Sequence, residues 1–307
     1  MTENIFGVDV ARDWVDVAGP HGSRRVANAD LAALADEIAA CKGRVVFEAS
    51  GGYETPLREA LARAGAEAVR VNPARARAYA RATGFLAKTD RVDARMLRQM
   101  GQRQPDLRPT PLESESLREL KALHARRRQM VEDRKRERTR AAQTREPLVA
   151  ASIGRVIAVL SDEIAALETR IAERIASTPE LAERAALLRS APGVGPVVIA
   201  AILAEMPELG TLTPGAAAAL TGLAPIARDS GHREGRRRIA GGRKPLRDTI
   251  YMAALTAARH DPVLAAFATR LREAGKAPKQ AIIAVARKLV IILNAMIRDR
   301  RPFQMKK

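Results

Sequence analysis

The sequence predicts an α/β domain with a mixed sheet, followed by a mainly α-helical remainder. Three observations point there. Short runs rich in Val, Ile and Phe (IFGVDV, WVDVAG, RVVFE, AVRVN) fill the N-terminal part and alternate with helical periodicity after the first pair. A stretch with three prolines, QPDLRPTPLE, then reads as a linker. Beyond it, apolar residues recur at helical spacings. The 307 residues suit roughly two domains at ~150 residues each. Motif placement gives a finer expectation: 1–108 for the α/β domain, 109–184 for a basic helical and coiled-coil segment, and 185–307 for a C-terminal domain.

Taken in order, IFGVDV and WVDVAG read as the arms of a hairpin turning at Ala11–Arg12–Asp13, with RRVAN adding a third strand. DLAALADEIAA is an amphipathic helix with Asp30 placed to cap it. RVVFE is the next strand. TPLREALARAGA is a helix with Thr55 at its N-cap, Pro56 at its first position and Gly65 near its end. AVRVN is a strand and PARARAYARATG a basic helix. KTDRVDARMLRQM is a helix carrying Asp90 and Asp93. This order matches a ribonuclease-H-like arrangement. In the second half, HARRRQMVEDRKRERTRAAQTR and the following segment predict a long helical hairpin. Ile153, Ile157, Leu160, Ile164, Leu167 and Ile171 form a coiled-coil seam. LLRSAPGVGPVVIAAILAEM reads as helix, Gly-Val-Gly turn, helix. In this helix–hairpin–helix-like pattern Gly193 and Gly195 would let backbone N–H groups approach a phosphate.

Charge narrows the partner. With 53 Lys and Arg against 35 Asp and Glu, the net charge is +18, which points to a polyanion, nucleic acid foremost. Aromatics at 3% argue against a base-stacking sheet and for backbone and shape contacts. Cys41 is the single cysteine, so neither an internal disulfide nor a Cys-based zinc site is expected, and the expected location is cytoplasmic. No signal peptide is expected at the N-terminus. AIIAVARKLVIILNAMI, interrupted by Arg287 and Lys288, is expected to be too short and too charged to span a membrane.

Two constellations carry chemistry. Asp9 lies in the first strand, Glu48 ends a later one, and Asp90 and Asp93 share one helix face roughly 5–6 Å apart. Buried carboxylates repel one another unless cations compensate them, and hard oxygen ligands suit Mg²⁺ or Mn²⁺. The alternative has Asp90 and Asp93 paired with Arg91 and Arg95 on an exposed helix. The second constellation is RDSGHREGRRRIAGGRKPLR. Ser230 is followed by Gly231 and stands among Arg228, Arg233, Arg236, Arg237, Arg238, Arg243 and Lys244. A hydroxyl attacking a phosphodiester needs open approach, cations on the phosphate and a proton acceptor. The glycine and arginines offer the first two, and no acceptor is evident. A loop that only grips phosphate remains the alternative. Tyr53 and Tyr251 rank below Ser230 as nucleophiles.

Taken together, GVDVARDWVDV, FEASGGYE, KTDRVDARML, LRSAPGVGPVVIAAIL and ALTGLAPIARDSGHREG with GGRKPLRDTIYMAAL resemble the insertion-sequence 110 family, or DEDD transposases, over nearly the whole chain. The resemblance implies a RuvC-like first domain with Asp9, Glu48, Asp90 and Asp93 as its acids, a coiled-coil segment, and a transposase domain with Ser230 as nucleophile. It also implies a bridge RNA that pairs with donor and target DNA, a covalent phosphoserine intermediate, and a composite site in a dimer of dimers, a homotetramer on DNA. Competing readings are a metal-dependent junction nuclease using water, and a non-enzymatic nucleic-acid-binding protein.

Overall fold

The computed structural model describes residues 4–85, 89–227, 235 and 237–304. By compactness the chain divides into Met1–Glu113 and Ser114–Lys307.

The first unit is built on a five-stranded sheet. Its strands are β1 (Ile5–Val10), β2 (Trp14–Gly19), β3 (Gly22–Ala27), β4 (Arg44–Glu48) and β5 (Glu67–Val71), in the order β3-β2-β1-β4-β5. β1 pairs antiparallel with β2, and β2 with β3, so the expected hairpin and third strand form an antiparallel half. β1–β4 and β4–β5 are parallel, because helices cross over between them. Strand side chains alternate between faces. Phe6, Val8, Val15, Val17, Val45 and Phe47 pack with α1 (Leu31–Ala40) and α2 (Thr55–Arg63) on one face. Ile5, Val46 and Val69 pack on the other with α3 (Pro73–Ala82) and α4 (Asp90–Arg103).

α4 lies against β1 at very short range. A Cβ built on Gly7 would stand 2.0 Å from the Ala94 carbonyl oxygen and 2.3 Å from the Arg98 nitrogen. Only a residue without a side chain fits between strand and helix there. Gly101 serves the same contact from the helix, its built Cβ falling 2.7 Å from Ile5 and 2.8 Å from Val46.

Three local expectations need correcting. Asp30 stands at the N-cap of α1 but its side chain makes no capping bond, since a 3₁₀ turn, Asn28–Asp30, leads into the helix. The N-cap of α2 is Glu54 rather than Thr55, because Glu54 already has helical backbone angles (φ −73°, ψ −9°) and its carbonyl accepts from Arg58 N at 3.0 Å. The proline-rich stretch is no free linker. Thr110 donates to Ala68 O at 2.7 Å and its hydroxyl accepts from Arg70 N at 3.0 Å, so it satisfies the edge of β5. Leu107 is buried beneath it, and Arg58 donates to Pro111 O at 3.0 Å.

The second unit is helical. α5 (Glu115–Gln143) and α6 (Pro147–Ser177) run antiparallel, tied by Arg127–Glu168 and by Arg134 to Ser161. Ile164 and Ile171 of the seam are buried. α7 (Pro179–Arg189), α8 (Pro196–Glu205), α9 (Pro214–Leu220), α10 (Lys244–His260), α11 (Pro262–Glu273) and α12 (Pro278–Asp299) complete the unit. Proline opens most of these helices, where its missing N–H costs no hydrogen bond. α8 is apolar all round, and Ile199, Ile202 and Leu203 are buried at the centre of a core that also takes Leu120 and Ile171 from the hairpin. One expectation fails on length. α12 extends past the apolar run to 22 residues and contains an 18-residue window of mean hydropathy 1.8, long and apolar enough to cross a membrane. Its Val285, Leu289, Val290 and Leu293 are nonetheless buried in this core.

Because no side chain fits at Gly7, Gly7→Ala is expected to destabilise the protein by about 2–4 kcal/mol through overpacking against backbone. Denaturant unfolding of the full chain measures it. An unchanged midpoint would show that α4 can retreat from β1 at no cost.

Candidate active site

Sheet register assembles the first constellation. On the face covered by α4, Arg25 stands opposite Asp16, and Asp16 opposite Asp9. The β1–β4 register pairs Val8 with Phe47, and one step further sets Glu48 beside Asp9. One row across the sheet therefore reads Arg25, Asp16, Asp9, Glu48. The close crossing at Gly7 lays the first turn of α4, with Asp90 and Asp93, over this row. Thr89 caps that turn by accepting from Val92 N at 3.3 Å. The positive end of the helix favours two carboxylates there.

The electrostatics show the convergence. Burial, then the charges of Asp93, Asp90, Glu48 and Asp16, push the Asp9 carboxyl up to about 6. The other three expected acids all act on Asp9. The structure adds a fifth, Asp16, only 1% exposed, and a cation, Arg25. Arg25 bonds Asp16 through Nε at 3.3 Å and Nη2 at 2.8 Å, and its Nη2 lies 3.5 Å from Asp90 Oδ2. Asp90 thus pairs with Arg25 on β3, whereas Arg95 donates to the Arg91 carbonyl. Asp16 and Arg25 were not singled out from sequence. The signal was present as a carboxylate inside the apolar run WVDVAG.

The turn after β4 is organised by another residue the sequence left unassigned. Glu54 is 4% exposed and accepts from Ser50 N at 3.2 Å, Ser50 Oγ at 2.9 Å and Gly52 N at 2.9 Å. Burial pushes its carboxyl up, but these donors outweigh burial and hold it below the usual range. Gly51 and Gly52 supply the left-handed conformations the turn needs, with φ of 74° and 118°. Tyr53 at its tip is 55% exposed.

The acids fit a hard divalent cation by donor chemistry, all being oxygen ligands crowded enough to raise the proton affinity of Asp9. Among the described residues, no three His, Cys, Asp or Glu side chains already stand close enough to enclose an ion.

The second constellation lies largely outside the described residues: Ser230, Arg228, Arg233 and Arg236 all fall there. Its base is described. β6 (Pro225–Ile226) pairs antiparallel with β7 (Arg238–Ile239) and brackets the stretch 227–237. Beyond β7, Arg243 clamps the chain to the end of α8, bonding Glu208 at 2.7 and 3.0 Å. Burial pushes the Glu208 carboxyl up, and the Arg243 hydrogen bond carries it below the usual range. Arg243 therefore has a structural task. Lys244 pairs with Asp248 at 2.7 Å on the exposed start of α10. Arg237 and Arg238 are exposed. Gly193 has φ of 75°, and its built Cβ would meet Ala253 O at 2.3 Å, so it lets the α7–α8 turn pack on α10. Gly195, the N-cap of α8, has no atom within 4 Å of its built Cβ.

The raised carboxyl of Asp9 carries a stability consequence. Its folded value of about 6 exceeds the ordinary value of 3.8, so the folded state holds the extra proton between these values. Stability falls as pH rises through that window. In chelator, Asp9→Asn is expected to stabilise the protein at pH 7–8 by about 1–2 kcal/mol, discounted for screening at a partly exposed site, and to do little at pH 4. Thermal melts at the two pH values test this. Equal or lower melting temperatures for the variant at pH 8 would count against the crowding.

Comparison with known proteins identifies the family. Residues 6–144 match a transposase family of DEDD type, and residues 185–269 match the family described as Transposase IS116/IS110/IS902. A pilin gene-inverting protein of Moraxella bovis is 27% identical over 321 residues, covering 99% of this chain and 98% of that protein. Its counterpart from Moraxella lacunata is similar over the same extent. An uncharacterized 44.8 kDa protein of insertion element IS116 from Streptomyces clavuligerus is 34% identical over 154 residues, 48% of this chain and 39% of that protein. With both halves matched in order, the chain belongs to the IS110/IS116/IS902 family of insertion-sequence transposases, enzymes that recombine DNA.

Proposed function

We propose that the chain moves its element as a serine recombinase whose RuvC-like, ribonuclease-H-like first unit supplies a divalent-metal site, Mg²⁺ or Mn²⁺, to a nucleophile in the second. The observation that carries this reading is the convergence of Asp93, Asp90 and Glu48 on Asp9. The sheet order, with its antiparallel half followed by parallel strands, supports the RuvC-like assignment. Neither constellation suffices alone. The acids include no nucleophile, and Ser230 has no evident activator in its own sequence neighbourhood.

Asp9, Glu48, Asp90 and Asp93 would hold the metal. A bound divalent ion would offset charge developing on the phosphate. Ser230 Oγ would attack phosphorus while a DNA oxygen departs, leaving a phosphoserine ester. A second DNA hydroxyl would reverse the step on a new partner, so bond energy is conserved. Gly231 would leave the approach open. Arg228, Arg233, Arg236, Arg237, Arg238 and Lys244 would hold phosphate oxygens, and Gly195 would present backbone N–H groups to one. The β6–β7 pairing and the Arg243 clamp would keep the base of the loop in place as the serine engages DNA.

Donor and target DNA would be selected by a bridge RNA paired to both. The excess of 53 basic over 35 acidic side chains supports such a polyanionic load. The acids of one subunit and the serine of another would form the composite site within a homodimer that assembles to a tetramer. The basic helices, the antiparallel α5–α6 pair among them, would contribute coiled-coil and nucleic-acid contacts.

Denaturing gels of the protein incubated with element-end DNA, bridge RNA and Mg²⁺ test the mechanism. A covalent protein–DNA adduct is expected for wild type, with Ser230→Ala forming none and Asp9→Asn losing at least ~10³-fold in rate. Cleavage that persists in Ser230→Ala would replace this mechanism with the water-dependent junction nuclease.

A further inference from the structure

We propose that Arg25 is a tethered cation that competes with the divalent ion for Asp90 and so limits how tightly the acidic cluster takes up metal. This rests on the metal-ligand reading of Asp9, Glu48, Asp90 and Asp93 given above.

Three restraints hold the guanidinium where it is. β3 pairs with β2 so that Arg25 faces Asp16 directly. Asp16 has a side chain 2% exposed, and Arg25 bonds both of its oxygens, at 3.3 and 2.8 Å. The guanidinium lies over the Trp14 ring, 4.4 Å from its centroid, a cation–π contact that fixes its plane. A buried carboxylate is costly without its partner, so Asp16 keeps Arg25 from swinging away. With both oxygens engaged by Arg25, Asp16 acts as the tether and not as another metal ligand.

The same Nη2 that binds Asp16 reaches Asp90 Oδ2 at 3.5 Å. The guanidinium charge persists at every accessible pH. Without metal, Arg25 offsets part of the repulsion among the acids and lets the cluster assemble. A divalent ion arriving at Asp90 meets a fixed positive charge beside its ligand. Arg25 is a positioning residue in this sense, acting through Asp90. A nucleic-acid phosphate would supply the negative charge that offsets Arg25, so the site would fill best once substrate is present.

The neighbouring Arg24 provides an internal control. It points to the opposite face of the sheet and pairs with Glu37 on α1. Changing it alters net charge equally and leaves Asp90 untouched.

Binding of Mn²⁺ alone to the full chain without nucleic acid, followed by the electron paramagnetic resonance of the free ion, tests the proposal. Arg25→Gln is expected to bind Mn²⁺ roughly tenfold more tightly than wild type, the size expected for removing one charge near a divalent ion at a partly exposed site. Because Arg25→Gln leaves Asp16 buried and unpaired and can fail to fold, the combined Arg25→Gln/Asp16→Asn variant is measured beside it. That variant is expected to bind about threefold more tightly than wild type, a smaller gain because a negative charge leaves with the positive one. Arg24→Gln is expected to match wild type. Equal or weaker binding by both Arg25 variants overturns the proposal. So does tightening confined to the single variant, since that assigns the gain to a freed Asp16. Failure of wild type and every variant to bind Mn²⁺ removes the metal reading itself, and this inference with it.

Discussion

The contact between α4 and β1 at Gly7 is the constraint on which the first unit depends. Helix and strand backbones touch because one position carries no side chain. That contact sets the N-terminal turn of α4 above the row of carboxylates, and it buries Leu97 and Met100 against Ile5 and Val46. Packing and chemistry are therefore one arrangement. The apolar side of α4 drives it onto the sheet, and the same movement presses Asp90 and Asp93 toward Asp9 against their mutual repulsion. Charge crowding of this kind works against folding, as is common where a site is shaped for a ligand rather than for stability.

The fold offsets that crowding in several ways. The helix N-terminus faces Asp90 and Asp93, and Arg25 answers both Asp16 and Asp90. Glu54 settles the glycine-rich turn after Glu48 by taking three hydrogen bonds at once. A similar division of labour holds in the second unit. The ends of the serine-bearing stretch are fixed by β6–β7 pairing and by Arg243 on Glu208. Both stretches are thus tied down by hydrogen bonds at their described ends.

How much of this could be read from the chain varied with the kind of feature. Strands β1 to β5 and the helices between them follow from apolar periodicity, since alternation and helical spacing are local properties. Asp9 and Glu48 stand out because carboxylates within or at the end of apolar runs are unusual, and Asp90 and Asp93 because their spacing puts them on one helix face. Asp16 lies in such a run too, but a polar residue within an alternating strand reads equally well as a solvent-facing one. Its burial depends on α4 covering that face, a contact between distant parts of the chain. The start of α2 lies one residue earlier because the backbone of Glu54 is already helical. The proline-rich stretch packs on β5 because an open sheet edge needs partners, which composition does not reveal.

Sequence alone determined which residue types were available: four acids on strands and a helix, a serine followed by glycine in a basic stretch, and a net charge of +18 suited to nucleic acid. Tertiary structure decided which of them meet. The row Arg25–Asp16–Asp9–Glu48 exists only through strand register, and Asp90 chose Arg25 over its helical neighbours only because β3 lies within reach of α4. Local patterns encode periodicity and propensity. The field at a carboxylate depends on burial and on charges brought near by folding, and neither is a local quantity.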